Sequence, residues 1–578
     1  MNQLANVCTG LLLVAGVSGC DNVTELDLLD SPNQVSPDQA GVDFLYNSIQ
    51  ITFSEIMYGA VSPIGTTVDA GNTNSLFRFT SDLVRMTAMT ASGNYENAFQ
   101  SVYFNSLWTN VYAGLFPDVD LLVERATESG LVGQIGSSKV MKAYTMMMLV
   151  DIFGEVPYSQ IGQGVDVIAP VADAGADVYL EAIALLDDAI VDLSAEDVPD
   201  FEDIDNFYGG DVEQWIKLAN TLKLRAAVTT RLVSGTEATT LVNDLIADES
   251  VIIASAGDDW QWSYGTSRLN PSTRNPLYVD SYESTDGDYL GNYFMWAVAY
   301  EKLIADSVID QRANYYFYRQ EVNLVDDIEG DNAAAFDCIN SMVPDNDFRP
   351  ARYEEIDPNM PYCLGSPAEL GYFGRDHGNN SGLPPDGNLR TVFGVYPAGG
   401  LFDDRSGSDV QNEGTDGALG EGIIPLMTSF YVNFLRAEAA LTMGTNDDAA
   451  AQLEAGIRGS FAKVSGFAGA PAVDDSLTTV YVDYVLEEFE EADNSGKVNI
   501  VAKEFYLALW GQPLEPYNLY RRTCAPVNLQ PTIIPSPGDF VQSAPYPAVY
   551  VERNQSAMQK PDQTVEVFWD TNGPDCNY

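Results

Sequence analysis

A chain of 578 residues, of which 46% are hydrophobic and 11% aromatic, is long and apolar enough to bury a large core. Its 28 basic and 84 acidic residues give a net charge of −56, which repels nucleic acid and anionic membrane surfaces. The composition therefore indicates a globular protein and excludes a nucleic-acid-binding function.

The first twenty residues have the pattern of a bacterial lipoprotein signal. An apolar run at positions 11–17 leads directly into Ser18, Gly19 and Cys20. Such a run is too short to span a bilayer, and small residues before a cysteine suit signal-peptide cleavage. We expect residues 1–19, including Cys8, to be removed and Cys20 to carry a lipid anchor. Because residues 1–19 contain no Lys or Arg, the alternative is a soluble protein with a chance cysteine at position 20.

The mature chain begins with a polar segment and continues into helices. Residues 20–38 are acidic and contain two prolines, which predicts a tether. Apolar residues at helical spacing run from 94 to 125, and Pro117 is expected to begin a second helix within that range. Residues 137–153 are apolar almost all round, which is typical of a buried helix.

Helical periodicity recurs in both halves of the chain. Further helices are predicted at 179–193, 215–229, 425–441, 449–464, 477–491 and 498–510, the third beginning with Pro425 at its first position. Helices of this length joined by short turns resemble stacked helical repeats, although no strict 34-residue motif recurs. We predict an all-α fold in which tetratricopeptide-like helix pairs form a scaffold over 39–249 and 421–522, within one domain spanning 39–578.

Two parts of that domain have a different composition. Residues 250–420 are rich in Gly, Asn, Asp, Tyr and Pro, which predicts a long loop-rich insertion that carries the ligand surface. Residues 523–578 contain many prolines and are predicted to be irregular.

Four cysteines remain after processing, and an exported protein meets an oxidising compartment. They are Cys338, Cys363, Cys524 and Cys576, and the sequence leaves three connectivities open. A bond from Cys338 to Cys363 would close a loop of the insertion, and one from Cys524 to Cys576 would fix the C-terminal segment. A zinc site is disfavoured because the sequence holds no CxxC motif and a single histidine, His377.

Several blocks along the chain resemble the SusD/RagB family of nutrient-uptake lipoproteins. The blocks are DIFGEVPY at 151–158, WIKLANTLKLR at 215–225, GYFGRDH at 371–377, FLRAEAAL at 434–441, LWGQ at 509–512, YNLYRRT at 517–523, and the segment from Tyr546-Pro547 to Arg553-Asn554. Each block alone is weak evidence, but their order together with the lipoprotein signal is specific.

The resemblance implies a helical fold with four repeat-like helix pairs, in a lipid-anchored protein on the outer face of the outer membrane of Bacteroidota. It also implies a SusC-like TonB-dependent transporter as partner, over which the lipoprotein acts as a ligand-capturing lid. Ligand residues vary among relatives and are not implied. The family's fold residues correspond here to Asp151, Gly154, Trp215, Asn220, Arg225, Glu438, Arg521 and Arg522, which we interpret as structural.

Ligand residues must instead be sought from chemistry. A sugar has apolar C–H faces and a rim of hydroxyls, so binding it requires exposed aromatic rings beside amide or carboxylate groups. The segment 260–296 has this composition, and its candidates are Trp260, Trp262, Tyr282, Tyr289 and Trp296. If that segment is extended, Trp260 and Trp262 point to the same side. A second candidate surface comprises Asp69, Asn72, Asn74, Phe77 and Arg78.

The sequence favours a non-catalytic glycan-binding lipoprotein that delivers oligosaccharide or polysaccharide to the transporter. His377 within RDHGNN at 375–380 is more consistent with a hydrogen-bonded loop than with a general base, and the motifs GxSxG and HExxH are absent. No cofactor is predicted. The acidic loops 326–331 and 403–409 could hold calcium but do not fit the twelve-residue calcium-loop rule. The alternatives are a peptide-capturing member of the same family and a surface glycosidase.

Overall fold

The computed structural model describes residues 41–59, 75–89, 94–269, 271–284, 287–320, 351–361, 372, 374–379, 390–534, 537–572 and 576. The helices are α1 Val42–Tyr58, α2 Leu76–Leu83, α3 Tyr95–Ala98, α4 Asn105–Thr109, α5 Phe116–Ser129, α6 Val132–Phe153, α7 Gly175–Leu193, α8 Val212–Thr229, α9 Arg231–Ile246, α10 Pro276–Tyr282, α11 Asn292–Ala299, α12 Glu301–Asp306, α13 Ala313–Tyr316, α14 Ala351–Ile356, α15 Ser429–Met443, α16 Ala449–Val464, α17 Asp475–Glu491, α18 Asn494–Ala508, α19 Glu515–Thr523 and α20 Ala548–Arg553. The strands are β1 Trp260–Ser263, β2 Phe317–Tyr318, β3 Val392–Phe393 and β4 Ile423–Met427.

Helices adjacent in sequence pack as pairs and form the scaffold. Helix α6 packs against α7, α8 against α9, α15 against α16, and α17 against α18. Aspartate side chains begin several of these helices: Asp211 accepts the backbone N–H groups of Glu213 and Gln214 at 3.0 and 3.3 Å, and Asp448 and Asp474 have the same role. The prediction of an all-α fold with tetratricopeptide-like helix pairs is confirmed.

The buried helix α6 begins five residues earlier than predicted because its glycines allow close packing. A Cβ atom added at Gly136 would lie 2.5 Å from the Leu193 side chain, and one at Gly133 would lie 2.4 Å from Phe201. These glycines have helical geometry and bring α6 against α7 and the chain that follows it. No helix among the described residues is both long and apolar enough to cross a membrane.

One of the two prolines predicted to begin a helix does so. Pro117 lies in the first turn of α5, where its missing N–H costs no hydrogen bond, and a π-helical turn at Asn110–Leu115 joins α4 to α5. Pro425 does not begin a helix but lies in β4, where it pairs with Gln261 beside an irregularity in the β1–β4 register. Helix α15 begins four residues later, with Thr428 as its N-cap.

The region predicted as a loop-rich insertion contains short regular elements. Helices α10 to α14 lie within it, and it contributes β1, β2 and β3 to two small antiparallel sheets. Strand β1 pairs with β4, so the start of the insertion is fixed beside the start of the second helical part. The buried hydrophobic residues form one cluster that extends from Leu45 to Trp569.

A carboxylate on α6 is the centre of the polar contacts inside this core. Asp151 has no exposed area and accepts hydrogen bonds from Arg225 at 3.0 Å, Asn518 at 2.7 Å, Trp569 at 2.9 Å and the hydroxyl of Tyr179. Its backbone carbonyl accepts a further bond from Arg521 at 2.6 Å.

From Asp151 a line of alternating charges continues through five helices. Arg225 donates a hydrogen bond to Glu515 at 2.9 Å, and Arg522 donates one to the same carboxylate at 2.6 Å. Arg522 also donates two hydrogen bonds to Glu438. Arg231 completes the line at 3.0 Å from Glu438. The members of this buried ion chain are Asp151, Arg225, Glu515, Arg522, Glu438 and Arg231. Three negative and three positive groups balance, which offsets the cost of taking each charge out of water.

The structural interpretation of the residues aligned with the family is confirmed. Trp215 is fully buried and donates its indole N–H to Asp205 at 2.8 Å, and Asn220 donates to the carbonyl of Val251 at 3.1 Å. Gly154 ends α6 with a φ of +79°, a backbone conformation that favours glycine. The other five residues of that set belong to or contact the ion chain.

We predict that Glu515→Gln lowers the free energy of unfolding by about 3–5 kcal/mol, because Arg225 and Arg522 stay buried after losing the carboxylate that balances their charge. The matched control is Glu454→Gln, which removes a carboxylate from an exposed ion pair with Arg458 at 2.8 Å. That change should cost about 0–1 kcal/mol. Guanidinium unfolding of the three proteins at one pH measures the difference, and equal losses would contradict the interpretation.

The structure contains one of the two disulfide bonds considered in the sequence analysis. Cys524, at the end of α19, is bonded to Cys576. This bond fixes the C-terminal segment against the helix that supplies Arg521 and Arg522. Cys338 and Cys363 lie outside the described residues, so their pairing stays a prediction.

We expect the Cys524→Ser/Cys576→Ser variant to lose about 2–4 kcal/mol of unfolding free energy, because an unfolded chain without the cross-link gains conformational entropy. Wild-type protein treated with a reductant should approach the stability of the variant. Peptide mapping without reduction should recover a peptide pair that contains both cysteines. Free thiols at both positions in the exported protein would refute the assignment.

Candidate functional site

The predicted aromatic ligand residues are mostly core residues. Trp260 and Trp262 do lie on the same side of β1, since both rings are within 6 Å of Phe207, at 5.7 and 5.3 Å. That side faces the core: Trp260 has no exposed area and contacts Phe53 and Tyr144. The interpretation of Trp260 as a sugar platform is therefore wrong. Trp262 is partly exposed, and its role as a ligand residue stays a prediction.

Three other candidates in that segment are buried by specific partners. Tyr282 stacks on Tyr278 with ring centroids 4.7 Å apart and donates its hydroxyl to the carbonyl of Phe393. Trp296 is 1% exposed, and Tyr289 is 8% exposed. None of the three presents an open ring face for a sugar to stack on, which corrects the prediction for Tyr282, Tyr289 and Trp296 as platforms.

The second candidate surface falls partly outside the structure. Asp69, Asn72 and Asn74 lie outside the described residues, and their role stays a prediction. Phe77 is a core residue, with its ring 5.1 Å from that of Tyr58. Arg78, in the first turn of α2, is partly exposed.

The structure joins the two predicted surfaces at Arg78. Its Nη1 lies 2.6 Å from a carboxylate oxygen of Asp288, which immediately precedes Tyr289 in the aromatic segment. Asp82 lies one helical turn along α2, 3.8 Å from the Nε of Arg78. We call the Arg78 site the group formed by these residues and their neighbours Asp280, Tyr289, Arg375 and Arg390. No motif singled out Asp288, Asp280 or Arg390 in the sequence.

Backbone hydrogen bonds hold three distant segments together beneath this site. Ala88 donates to the carbonyl of Tyr289 at 2.9 Å, and Gly291 donates to that of Met86 at 3.1 Å. Arg375 in turn donates to the carbonyl of Leu290 at 3.1 Å. A Cβ atom added at Gly291 would lie 2.0 Å from a backbone oxygen, so only glycine allows the segments to approach this closely.

The site has three carboxylates and two guanidinium groups in its partly buried centre. Burial, together with Asp280 and Asp82, raises the pKa of Asp288 to about 8, although Arg78 acts in the opposite direction. Burial also raises the pKa of Asp280, whose carboxylate accepts the backbone N–H of Asp288 at 2.9 Å. Arg390 holds the adjacent chain by donating to the carbonyl of Gly287 at 3.0 Å. Strongly shifted ionisable groups with specific charge partners are typical of functional sites.

An aromatic ring and a cation pack together beside these carboxylates. The guanidinium carbon of Arg375 lies 3.9 Å from the ring centre of Tyr289, which is cation–π geometry. Both side chains are buried, so this contact fixes the Tyr289 ring, and a sugar cannot stack on the face that Arg375 covers.

The geometry does not favour hydrolysis. Two catalytic carboxyl groups of a glycosidase flank the bond they cleave. The buried carboxylate of Asp280 instead accepts the backbone N–H of Asp288 at 2.9 Å, so it is engaged by the same chain segment that carries the second carboxyl group. His377 is also unsuited to act as a base, because burial, with Arg85 nearby, lowers its pKa well below the ordinary value. Its Nε2 lies 3.0 Å from the hydroxyl of Tyr95, which confirms the interpretation of a hydrogen-bonded loop.

The acidic loop at 403–409 is engaged by protein groups. Asp403 is fully buried and accepts the Nε of Arg319 at 2.6 Å and the backbone N–H of Arg405 at 2.9 Å. Within the described part of the chain, no three or more His, Cys, Asp and Glu side chains are grouped to hold a metal ion. The other acidic loop, 326–331, lies outside the described residues, and calcium binding stays untested.

Comparison with known proteins identifies relatives by family and by fold. Residues 45–295 match the SusD-like_2 family model, described as "Starch-binding associating with outer membrane". No curated protein matches the chain in sequence.

Solved structures share the fold over nearly the whole chain. A chitin-binding protein is 19% identical with a TM-score of 0.66, and 92% of this chain covers all of that one. A chitin-binding SusD homologue from Flavobacterium johnsoniae is 18% identical with a TM-score of 0.64, over 92% of this chain and 99% of that one. A SusD homologue from Bacteroides uniformis is 19% identical with a TM-score of 0.63, over 91% of this chain and 99% of that one. Residues 45–295 of the chain therefore match a SusD-like family model, and nearly the whole chain has the fold of solved SusD homologues.

Proposed function

We propose that the protein is a non-catalytic, lipid-anchored protein of the bacterial cell surface. It captures an oligosaccharide or polysaccharide at the Arg78 site and delivers it to a SusC-like TonB-dependent transporter in the outer membrane. The observation that carries the proposal is the ion pair between Arg78 and Asp288, because it joins a residue of one predicted ligand surface to the chain segment in which the other was predicted.

Three further observations support this function. The family description names starch binding in association with the outer membrane, and two similar structures are named as chitin-binding. The pattern at residues 18–20 suits lipid anchoring. The Arg78 site offers guanidinium donors and carboxylate acceptors without a carboxylate pair placed across a ligand.

Peptide capture and glycoside hydrolysis are the competing functions. A peptide would use the same charged groups, so the two kinds of ligand must be compared directly. Incubation with a polysaccharide panel and with a peptide mixture distinguishes the three functions. Retarded migration in one polysaccharide without new reducing ends supports the proposal, whereas new reducing ends support a glycosidase and selective peptide retention supports peptide capture.

We predict that the double variant Arg78→Gln/Asp288→Asn binds the best glycan of the panel about 10- to 100-fold more weakly than wild type. Loss of hydrogen bonds to charged groups costs about 1.5–3 kcal/mol each, and removing both members of the pair leaves the net charge of the site unchanged. The matched control is Arg458→Gln/Glu454→Gln, which removes an exposed pair elsewhere. Calorimetry gives the affinities, and thermal melting confirms folding. A folded double variant with wild-type affinity would exclude the Arg78 site.

We also predict that Cys20→Ser abolishes surface anchoring, because it removes the sulfur at the cleavage position that would carry the lipid. Cys8→Ser is the matched control, since the leader that contains this cysteine is expected to be removed. Surface labelling of intact cells and the mass of the mature chain measure the outcome. Wild-type labelling of the Cys20→Ser protein would show that anchoring does not depend on this residue.

A further inference from the structure

A cleft is lined by residues that do not belong to the Arg78 site. Its volume is about 620 Å³, within the range of small-ligand sites, and it is bordered by α11, α12, α17, α18 and the chain at 527–528. We call it the Tyr484 cleft after the aromatic residue on its wall. The sequence analysis pointed toward it through Trp296 alone.

The floor of the cleft is a connected set of charged and polar groups. Lys503 lies 2.9 Å from Glu301 and donates to the hydroxyl of Tyr293 at 3.0 Å. Lys302 lies 2.7 Å from Glu504. The two lysines are thus each neutralised by a floor carboxylate, and the floor carries little net charge of its own.

The wall on α17 has a different charge balance. Glu488 and Glu491 are exposed, lie three residues apart and so share one face of the helix. Among the described residues, no lysine or arginine lies within ion-pair distance of either carboxylate. Burial of part of its surface raises the pKa of Glu488, although the Tyr484 hydroxyl and the charge of Lys302 act in the opposite direction. Because Lys302 is already paired with Glu504, a ligand cation at this wall would add counter-charge, whereas an anion would be repelled.

Other groups in the cleft suit a sugar ring. Tyr484 is partly exposed, and its hydroxyl donates to Glu488 at 2.9 Å, which fixes the ring beside the carboxylates. Trp296 belongs to the lining, is 1% exposed, and its indole Nε1 has no hydrogen-bond partner among the described residues. A buried donor without an acceptor is unfavourable unless a ligand oxygen completes it. An aromatic ring, an unused donor and carboxylates are the groups that bind a sugar.

We propose that the Tyr484 cleft is a second carbohydrate site, selective for sugars that carry a protonated amine. Tyr484 and the indole N–H of Trp296 would bind the sugar ring, and Glu488 and Glu491 would bind the protonated amine. This inference does not depend on the Arg78 site, which has a different set of residues.

The test uses full-length protein with the Arg78→Gln/Asp288→Asn substitutions, so that only the Tyr484 cleft is measured. Two ligands are compared by calorimetry: a β-1,4-linked glucosamine tetramer with free amines and the same tetramer fully N-acetylated. We expect the amine form to bind about tenfold more tightly, with a preference that decreases as salt is raised.

Glu488→Gln/Glu491→Gln should weaken binding of the amine tetramer about tenfold and change that of the acetylated tetramer less than about twofold, because it removes charge and keeps shape. The matched control is Glu487→Gln/Glu490→Gln, which makes the same charge change on the same helix outside the cleft lining. Equal affinity for the two tetramers would overturn the proposal. It would also fail if the control pair had the same effect, or if a tetralysine peptide bound as tightly as the amine tetramer.

Discussion

The buried ion chain from Asp151 to Arg231 is the interaction on which the arrangement of the helices depends. Its six members lie on five helices, with Glu515 and Arg522 near opposite ends of α19. The line of charges therefore fixes α6, α8, α9, α15 and α19 relative to one another. Hydrophobic burial alone would allow these helices to slide, because it is not directional. A charge displaced from its partner inside the core would cost several kcal/mol, about the scale of a domain's whole stability.

The two ligand surfaces have different relations to that framework. The Arg78 site is assembled from segments near residues 78, 288, 375 and 390, which are far apart in the chain and are joined by backbone hydrogen bonds. The Tyr484 cleft lies where the insertion meets the last helix pair, and the bonds of Lys503 and Lys302 hold its floor. Both surfaces therefore place partly exposed charged groups on a pre-organised support, which limits the ordering cost of binding.

Sequence periodicity predicted the scaffold better than it predicted the sites. The apolar stripes in α7, α8, α16 and α17 predicted helices within a few residues of those observed. The spacing of apolar residues along an amphipathic helix shows which face is buried. Helix α1 was missed although Leu45, Ile49 and Phe53 form such a stripe. Alternation correctly put Trp260 and Trp262 on one side, but which side faces the core depends on Phe207, a residue about fifty positions away. Composition likewise could not distinguish aromatic residues that bind from those that pack, nor reveal that Arg78 meets Asp288.

The partners of Asp151 also determine when this chain can fold. They are drawn from positions 179, 225, 518 and 569, so the carboxylate is fully satisfied only when a segment more than four hundred residues later is present. In a chain made from its N-terminus, Asp151 in the last turn of α6 would have Tyr179 and Arg225 as partners but would lack Asn518 and Trp569. A buried polar network that is only partly satisfied is unfavourable, so the final packing of α6 against α8 depends on residues supplied by the last part of the chain.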